Sequence, residues 1–397
     1  MAKQRLASLD VVRGLAALAV VVQHWWQHFG TLPGASDIPG GVDLPFYNLL
    51  WPFFLNGSRA VTLFFNLSGF VFFWLYSDEI ANRRIGFIRF MGLRFSRLYP
   101  LHLATLIVVI PLQFVFIQYI GSPFICKFND FYHFVLNLLL VQYWGFEKGY
   151  SFNGPSWSIS VEIALYLIFF AVCFIRLQRF WSLLVLLLVS WSIARFSIIP
   201  SAAIAFFAGG LAFYIFTYFE NKSNRYWDYI ILTIAVLLWI VAPYVAGGTS
   251  LADKFENFLS GFSMEPPAFV MVALRLFGQR LWELLVFPGT IVALALAERR
   301  YRLSFKWFEW LGNISYSTYL LHFPLQMIFA LIAIYLGNGP EVFLRKDVFI
   351  GFFLVLIALS LASYNYFELP AQAFLRNWFP KKSLKTKLMD QIESSDG

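Results

Sequence analysis

Apolar positions recur along this chain in runs too long for any soluble core. They extend over about Val11 to Trp26, Ala60 to Tyr76, Leu98 to Ile120, Trp181 to Ile199, Ile230 to Tyr244, Leu281 to Ala297 and Val348 to Tyr364. Several reach the roughly 17–25 residues with which a helix crosses about 30 Å of hydrocarbon. The pattern predicts an all-α, polytopic transmembrane helical bundle of about ten helices. The run at 134–144 is too short to span and reads as re-entrant or interfacial. The longest connections, 30–58 with its Gly and Pro and the aromatic 121–153, are the natural approach for a substrate from outside.

Composition strengthens this picture: 59% of residues are hydrophobic and 13% charged, against about 25% charged in soluble domains. The net charge of +8 does not point to nucleic acid, because its placement follows the positive-inside rule. Lys3 and Arg5, the cluster Arg83, Arg84, Arg89, Arg94 and Arg97, then Arg176 and Arg179, Lys222 and Arg225, Arg299 to Arg302 and Lys381 to Lys387 fall at alternate helix ends. The loops at 30–58, 121–153, 247–268 and 337–347 are poor in Lys and Arg. Both termini are therefore expected in the cytoplasm. Residues 1–380 read as one transmembrane domain and 381–397 as a basic, polar cytoplasmic tail. The first run carries Arg13 and His24 and no small-residue cleavage site follows, so it reads as a span and not a signal peptide. Cys126 in a loop and Cys173 near the other end of a helix are not expected to pair.

Ionisable residues inside spans are functional candidates by default. Arg13 and His24 in the first helix are eleven residues apart, so they share a face and stand roughly 16 Å apart along the axis. Asp10 precedes them, and His28 one turn later reads as an interface residue. Taken singly, Arg13 reads equally as an arginine snorkelling to headgroups and His24 as a buried helix–helix contact. Arg94 and Arg97 share a helix face at the edge of a span, and arginine forks suit phosphate. Pro155 and the hydroxyls of Ser156, Ser158 and Ser160 suit a helix start, which places Glu162 about two turns into the membrane. There it is expected to orient His24 or hold its positive form. Tyr316 and His322 lie on a further span, with helix packing and function equally served. No metal-type cluster, phosphate loop, dinucleotide motif or Gly-x-Ser-x-Gly elbow is present in the sequence.

These residues resemble the acyltransferase-3 family. Leu9-Asp10-Val11-Val12-Arg13-Gly14, followed by His24, is similar to its first-helix signature. Phe64-Phe65-Asn66-Leu67-Ser68-Gly69-Phe70, Arg94-Phe95-Ser96-Arg97-Leu98-Tyr99-Pro100, Trp157-Ser158-Ile159-Ser160-Val161-Glu162 and Ser315-Tyr316-Ser317-Thr318-Tyr319-Leu320-Leu321-His322 match later motifs in order. Thr62 stands where the family often has Asp, and Ile163 where it often has a second acid. The resemblance implies a stand-alone membrane acyltransferase without a fused extracellular hydrolase-like domain, or half of a two-protein system. It also implies an acyl-CoA donor on the cytoplasmic side, acetyl-CoA above all, and no metal. The expected acceptor is a hydroxyl of a surface glycan or lipid-linked glycan, and the expected location is the bacterial inner membrane, among membrane lipids.

On this reading His24 is the general base on the acceptor hydroxyl, with Glu162 holding its tautomer. Arg94 and Arg97 grip the donor's phosphates, Arg13 its pantetheine arm or pyrophosphate. His24 as nucleophile, through an acyl-histidine, is the other route. The rival class is a transporter or flippase of a lipid-linked sugar or acidic metabolite, whose pathway the same charges would line.

Overall fold

A computed structural model of the chain describes residues 6–35, 41, 43–222, 225–246, 251–260, 267–268, 270–271, 278, 280–301, 303 and 305–379. Lys3, Arg5 and the 381–397 tail lie outside the described residues. Among the described residues all regular structure is helical, as hydrocarbon requires of a chain that satisfies its backbone within each segment. In chain order the helices are α1 (Ala7–Phe29), α2 (Tyr47–Asn56), α3 (Arg59–Ala81), α4 (Phe87–Ile120), α5 (Phe131–Leu138), α6 (Trp157–Phe174) and α7 (Phe180–Ile193). There follow α8 (Ile198–Glu220), α9 (Tyr226–Ala246), α10 (Leu251–Ser260), α11 (Phe287–Tyr301), α12 (Glu309–Tyr335), α13 (Lys346–Ala362) and α14 (Leu369–Arg376). A π-helical turn at Trp282–Val286 leads into α11, and another at Ser363–Glu368 joins α13 to α14.

Eight segments are long and apolar enough to cross a membrane, while α7 is shorter. Packing direction settles what length leaves open. α3 and α8 run parallel: Gly209 lies on the Asn66 backbone, Phe70 meets Phe213, and Trp74 meets Phe216, so partners advance together. Parallel spans differ by an even number of crossings. With α4 and α6 between α3 and α8, α7 must cross as well. α1 and α12 are also parallel, with Asp10 at Gly312, His24 at His322 and His28 at Gln326. That parity requires α11, extended by its π turn, to cross too. Among the described residues the bundle thus has ten crossings, the eight apolar segments plus α7 and α11, and both described ends lie on one side. Consistently, a β-carbon on Gly92, near the start of α4, would lie 2.3 Å from the ring of Phe379.

Glycine allows the two parallel crossings. A β-carbon on Gly69 would lie 1.9 Å from the Phe206 carbonyl oxygen, and one on Gly209 2.0 Å from that of Asn66. Gly14 and Gly312 play the same part between α1 and α12, each against the other's backbone. Such small-residue contacts are how helices associate where lipid is as apolar as leucine. The Trp181–Ile199 run ends in the structure at Ile193, and α8 begins after Ser197, whose hydroxyl accepts from the Ile199 N–H. Within 134–144 the structure has only the end of the eight-residue α5, started by Asp130 accepting from the His133 N–H at 2.9 Å.

Candidate active site

The site is assembled on α1 and α12. The N-terminus of α1 is fastened by Glu298 of α11, whose carboxylate oxygens each accept a backbone N–H, from Ala7 and Ser8, at 2.8 Å. One turn on, Asp10 pairs with Arg13 at 3.0 Å. Arg13 then faces a cleft of about 820 Å³, the space at its mouth included, whose wall also holds Arg94, Arg97, Glu162, Ser158, Ser68, Tyr316 and Tyr319.

The cleft is rich in unused arginine donors. Arg94 gives one N–H to Tyr76 Oη at 2.7 Å and lies against the rings of Phe72 and Tyr76, while its Nε is sealed and unbonded. Arg97 is exposed and makes no hydrogen bond or ion pair with any described residue. Against them stands one wall carboxylate, Glu162, which accepts from Ser68 at 3.2 Å and from Tyr166. Two planar forks with spare N–H groups around a cleft make a fitting seat for phosphate oxygens.

Beyond the cleft lies a knot of imidazoles. His24 Nδ1 and His322 Nε2 are 2.9 Å apart in a hydrogen bond, and His28 Nδ1 is 2.7 Å from Gln326 Oε1. The Gln326 amide donates to the His24 carbonyl at 3.2 Å, and the His24 and His28 rings stack with centroids 4.5 Å apart. Tyr319 separates cleft from knot. It lines the cleft, its ring centroid is 6.0 Å from that of His322, and its hydroxyl donates to Pro155 O and accepts from Ser158, each at 2.8 Å. Pro324 lacks the N–H that the Leu320 carbonyl would receive within α12. Asn153 Nδ2 supplies a donor to that carbonyl at 3.1 Å, tying the start of the α6 segment to the level of His322.

The structure therefore corrects one expected pairing. Glu162 does not hold His24: its carboxylate is engaged by Ser68 and Tyr166 on the cleft wall, and the imidazole partner is His322. The shared face of Arg13 and His24 is likewise divided, Arg13 on the cleft wall and His24 beyond Tyr319. Asp10 serves as the partner of Arg13, Ser158 as that of Tyr319, and Tyr316 lines the cleft while donating to the Leu98 carbonyl. His28, expected at an interface, belongs to the imidazole knot. Sequence reasoning gave Tyr319 no role within its motif and missed Gln326, Glu298 and the buried Glu368, which accepts from Ser317 at 2.5 Å and Ser363 at 2.9 Å. Gln326 had a signal, since it follows His322 by four residues as His28 follows His24.

Ten crossings among the described residues, an arginine-walled cleft and a histidine pair behind it define an integral membrane protein built around a basic cleft. The chain belongs to the acyltransferase-3 family, whose acyltransferase-domain model matches residues 6–364. It is 36% identical over 167 residues to the acyltransferase MdmB of Streptomyces mycarofaciens, a match covering 42% of this chain and 38% of that protein. It is 32% identical over 120 residues to protein 2 in the picA locus of Rhizobium radiobacter, covering 30% of this chain and 51% of the relative. The matched stretches thus span about two fifths and one half of those relatives. No solved structure matches the chain.

Proposed function

We propose that the protein is a membrane O-acyltransferase that moves an acyl group, acetyl foremost, from cytoplasmic acyl-CoA to a hydroxyl of a surface glycan or lipid-linked glycan. The observation that carries this reading is the cleft itself, walled by Arg13, Arg94 and Arg97 and ending at Tyr319 beside the His24–His322 pair. The side bearing the N-terminus also bears the 83–97 arginines, so the positive-inside rule makes it cytoplasmic. In a bacterial cell this is the inner membrane, with both termini inside.

Arg94 and Arg97 grip the phosphates of the donor, and Arg13 its inner part. His24 takes the proton of the acceptor hydroxyl, the oxygen attacks the thioester carbonyl, and the carbon–sulfur bond breaks. The departing thiolate receives the proton back from His24. Shielding from water favours transfer over hydrolysis.

The test is acyl transfer in reconstituted vesicles, with radiolabelled acetyl-CoA and a glycan acceptor. Wild-type protein is expected to label the acceptor, and Arg97→Ala to raise the half-saturating acetyl-CoA concentration roughly 10- to 100-fold, the worth of a lost charge-assisted hydrogen bond. Vesicles that accumulate a sugar or acidic metabolite and form no ester would show a transporter instead.

A further inference from the structure

α14 packs along the cytoplasmic end of α4 and is fixed there at both ends. At its start Glu368 accepts from Ser317, next to the Tyr316 that donates to the Leu98 carbonyl of α4. Beyond its end the Phe379 ring lies on Gly92. α14 therefore runs antiparallel to α4, from the level of Leu98 to that of Gly92. The Phe379 N–H bonds the Arg376 carbonyl at 3.3 Å, so Arg376 stands one turn, roughly 4.5 Å, before Phe379. Arg94 stands two residues, about 3 Å, beyond Gly92. The two arginines are thus level on neighbouring helices. Arg376 is there within electrostatic reach of Arg94, of Arg97 and of Tyr76, whose hydroxyl holds Arg94.

A cation in the last turn of α14 suits that helix's dipole, but the dipole does not account for three arginines in one place. None of the three pairs with a carboxylate among the described residues, and Glu368, two turns back, is engaged by Ser317 and Ser363. Like charges held together repel, and an anion bound among them removes that cost. Arg376 is exposed, and no described residue of α14 lines the cleft. It is placed to meet what protrudes from the cleft, not what enters it. We infer that Arg376 is a specificity residue that binds the ribose-bound phosphate of coenzyme A and so distinguishes the donor from its dephospho form. The inference rests on the acyl-CoA reading of the cleft. A donor whose thioester points inward past Arg13 and Arg97 leaves its nucleotide end at the mouth. The charge at that end is the ribose phosphate, a monoester whose oxygens match the two-pronged fork of a guanidinium.

Equilibrium binding to the purified protein in detergent tests it, with coenzyme A and dephospho-coenzyme A, which lacks only the ribose phosphate, as probes. Wild type is expected to bind coenzyme A roughly tenfold more tightly than the dephospho form, the worth of a charge-assisted hydrogen bond at a solvated mouth. Arg376→Ala is expected to lose that preference: about tenfold weaker toward coenzyme A, unchanged toward the dephospho form. The unchanged ligand also shows that the variant is folded. A variant that binds both probes as wild type does leaves Arg376 to a lipid headgroup phosphate and overturns the inference. A variant weakened equally toward both, or a wild type without preference, overturns it too. Wild type that binds neither probe overturns the acyl-CoA reading itself, and the inference falls with it.

Discussion

Arg97 and Cys126 show opposite fates for a reactive side chain. Arg97 keeps its donors uncommitted at the cleft, which is how a binding group differs from a structural one. Cys126 is fully buried in the loop before α5, against Gly154, and burial pushes its thiol up to about 12. Only thiolate reacts, so at pH 8 Cys126 is expected to resist iodoacetamide in folded protein and to react once the protein unfolds. Because the folded thiol keeps its proton where the unfolded one loses it, this burial costs stability as pH rises above the ordinary thiol range. Mass spectrometry of alkylated peptides checks this; prompt alkylation of Cys126 at pH 8 without unfolding would contradict its sealed position. The residue scale also shows what of the cleft was legible in the sequence. Arg13 was visible as a charge within a span and Arg94 and Arg97 as part of a basic cluster at the edge of one, and in the structure all three line one cleft. The error over Glu162 has a physical origin: helical spacing gives depth and face, but not which neighbouring helix the face meets.

Among the elements, the parallel pairs α1–α12 and α3–α8 set the site's precision, and both depend on glycine. Gly209→Leu would drive a side chain into the Asn66 backbone, where no flexible group can yield. Overpacking of this kind costs about 1–3 kcal/mol or more, and thermal unfolding in detergent is expected to occur at lower temperature than for wild type. Unchanged unfolding would mean that α3 and α8 do not approach as closely as described. α8 was not among the apolar runs read from the sequence, although it is more apolar than α1 or α3. Its Ala202, Ala203, Ala205, Ala208, Gly209 and Gly210 permit its close burial. The π turn holding Glu368 had no local signature, since it arises from how α13 meets α14 around Ser317.

For the whole molecule, the apolar runs carried the helical fold and an approximate count, and the parity of two parallel pairs adds α7 and α11 to the eight apolar segments among the described residues. What no run could carry is the meeting of residues almost three hundred positions apart, such as His24 and His322, which exists only once α1 and α12 lie side by side. On the proposed function, acyl transfer runs through His24. Its most direct test compares wild type with His24→Ala at matched expression, following radiolabel from acetyl-CoA into membrane glycan. Transfer by wild type and a loss of at least about 100-fold in the variant are expected; undiminished transfer by His24→Ala would rule out His24 as the base.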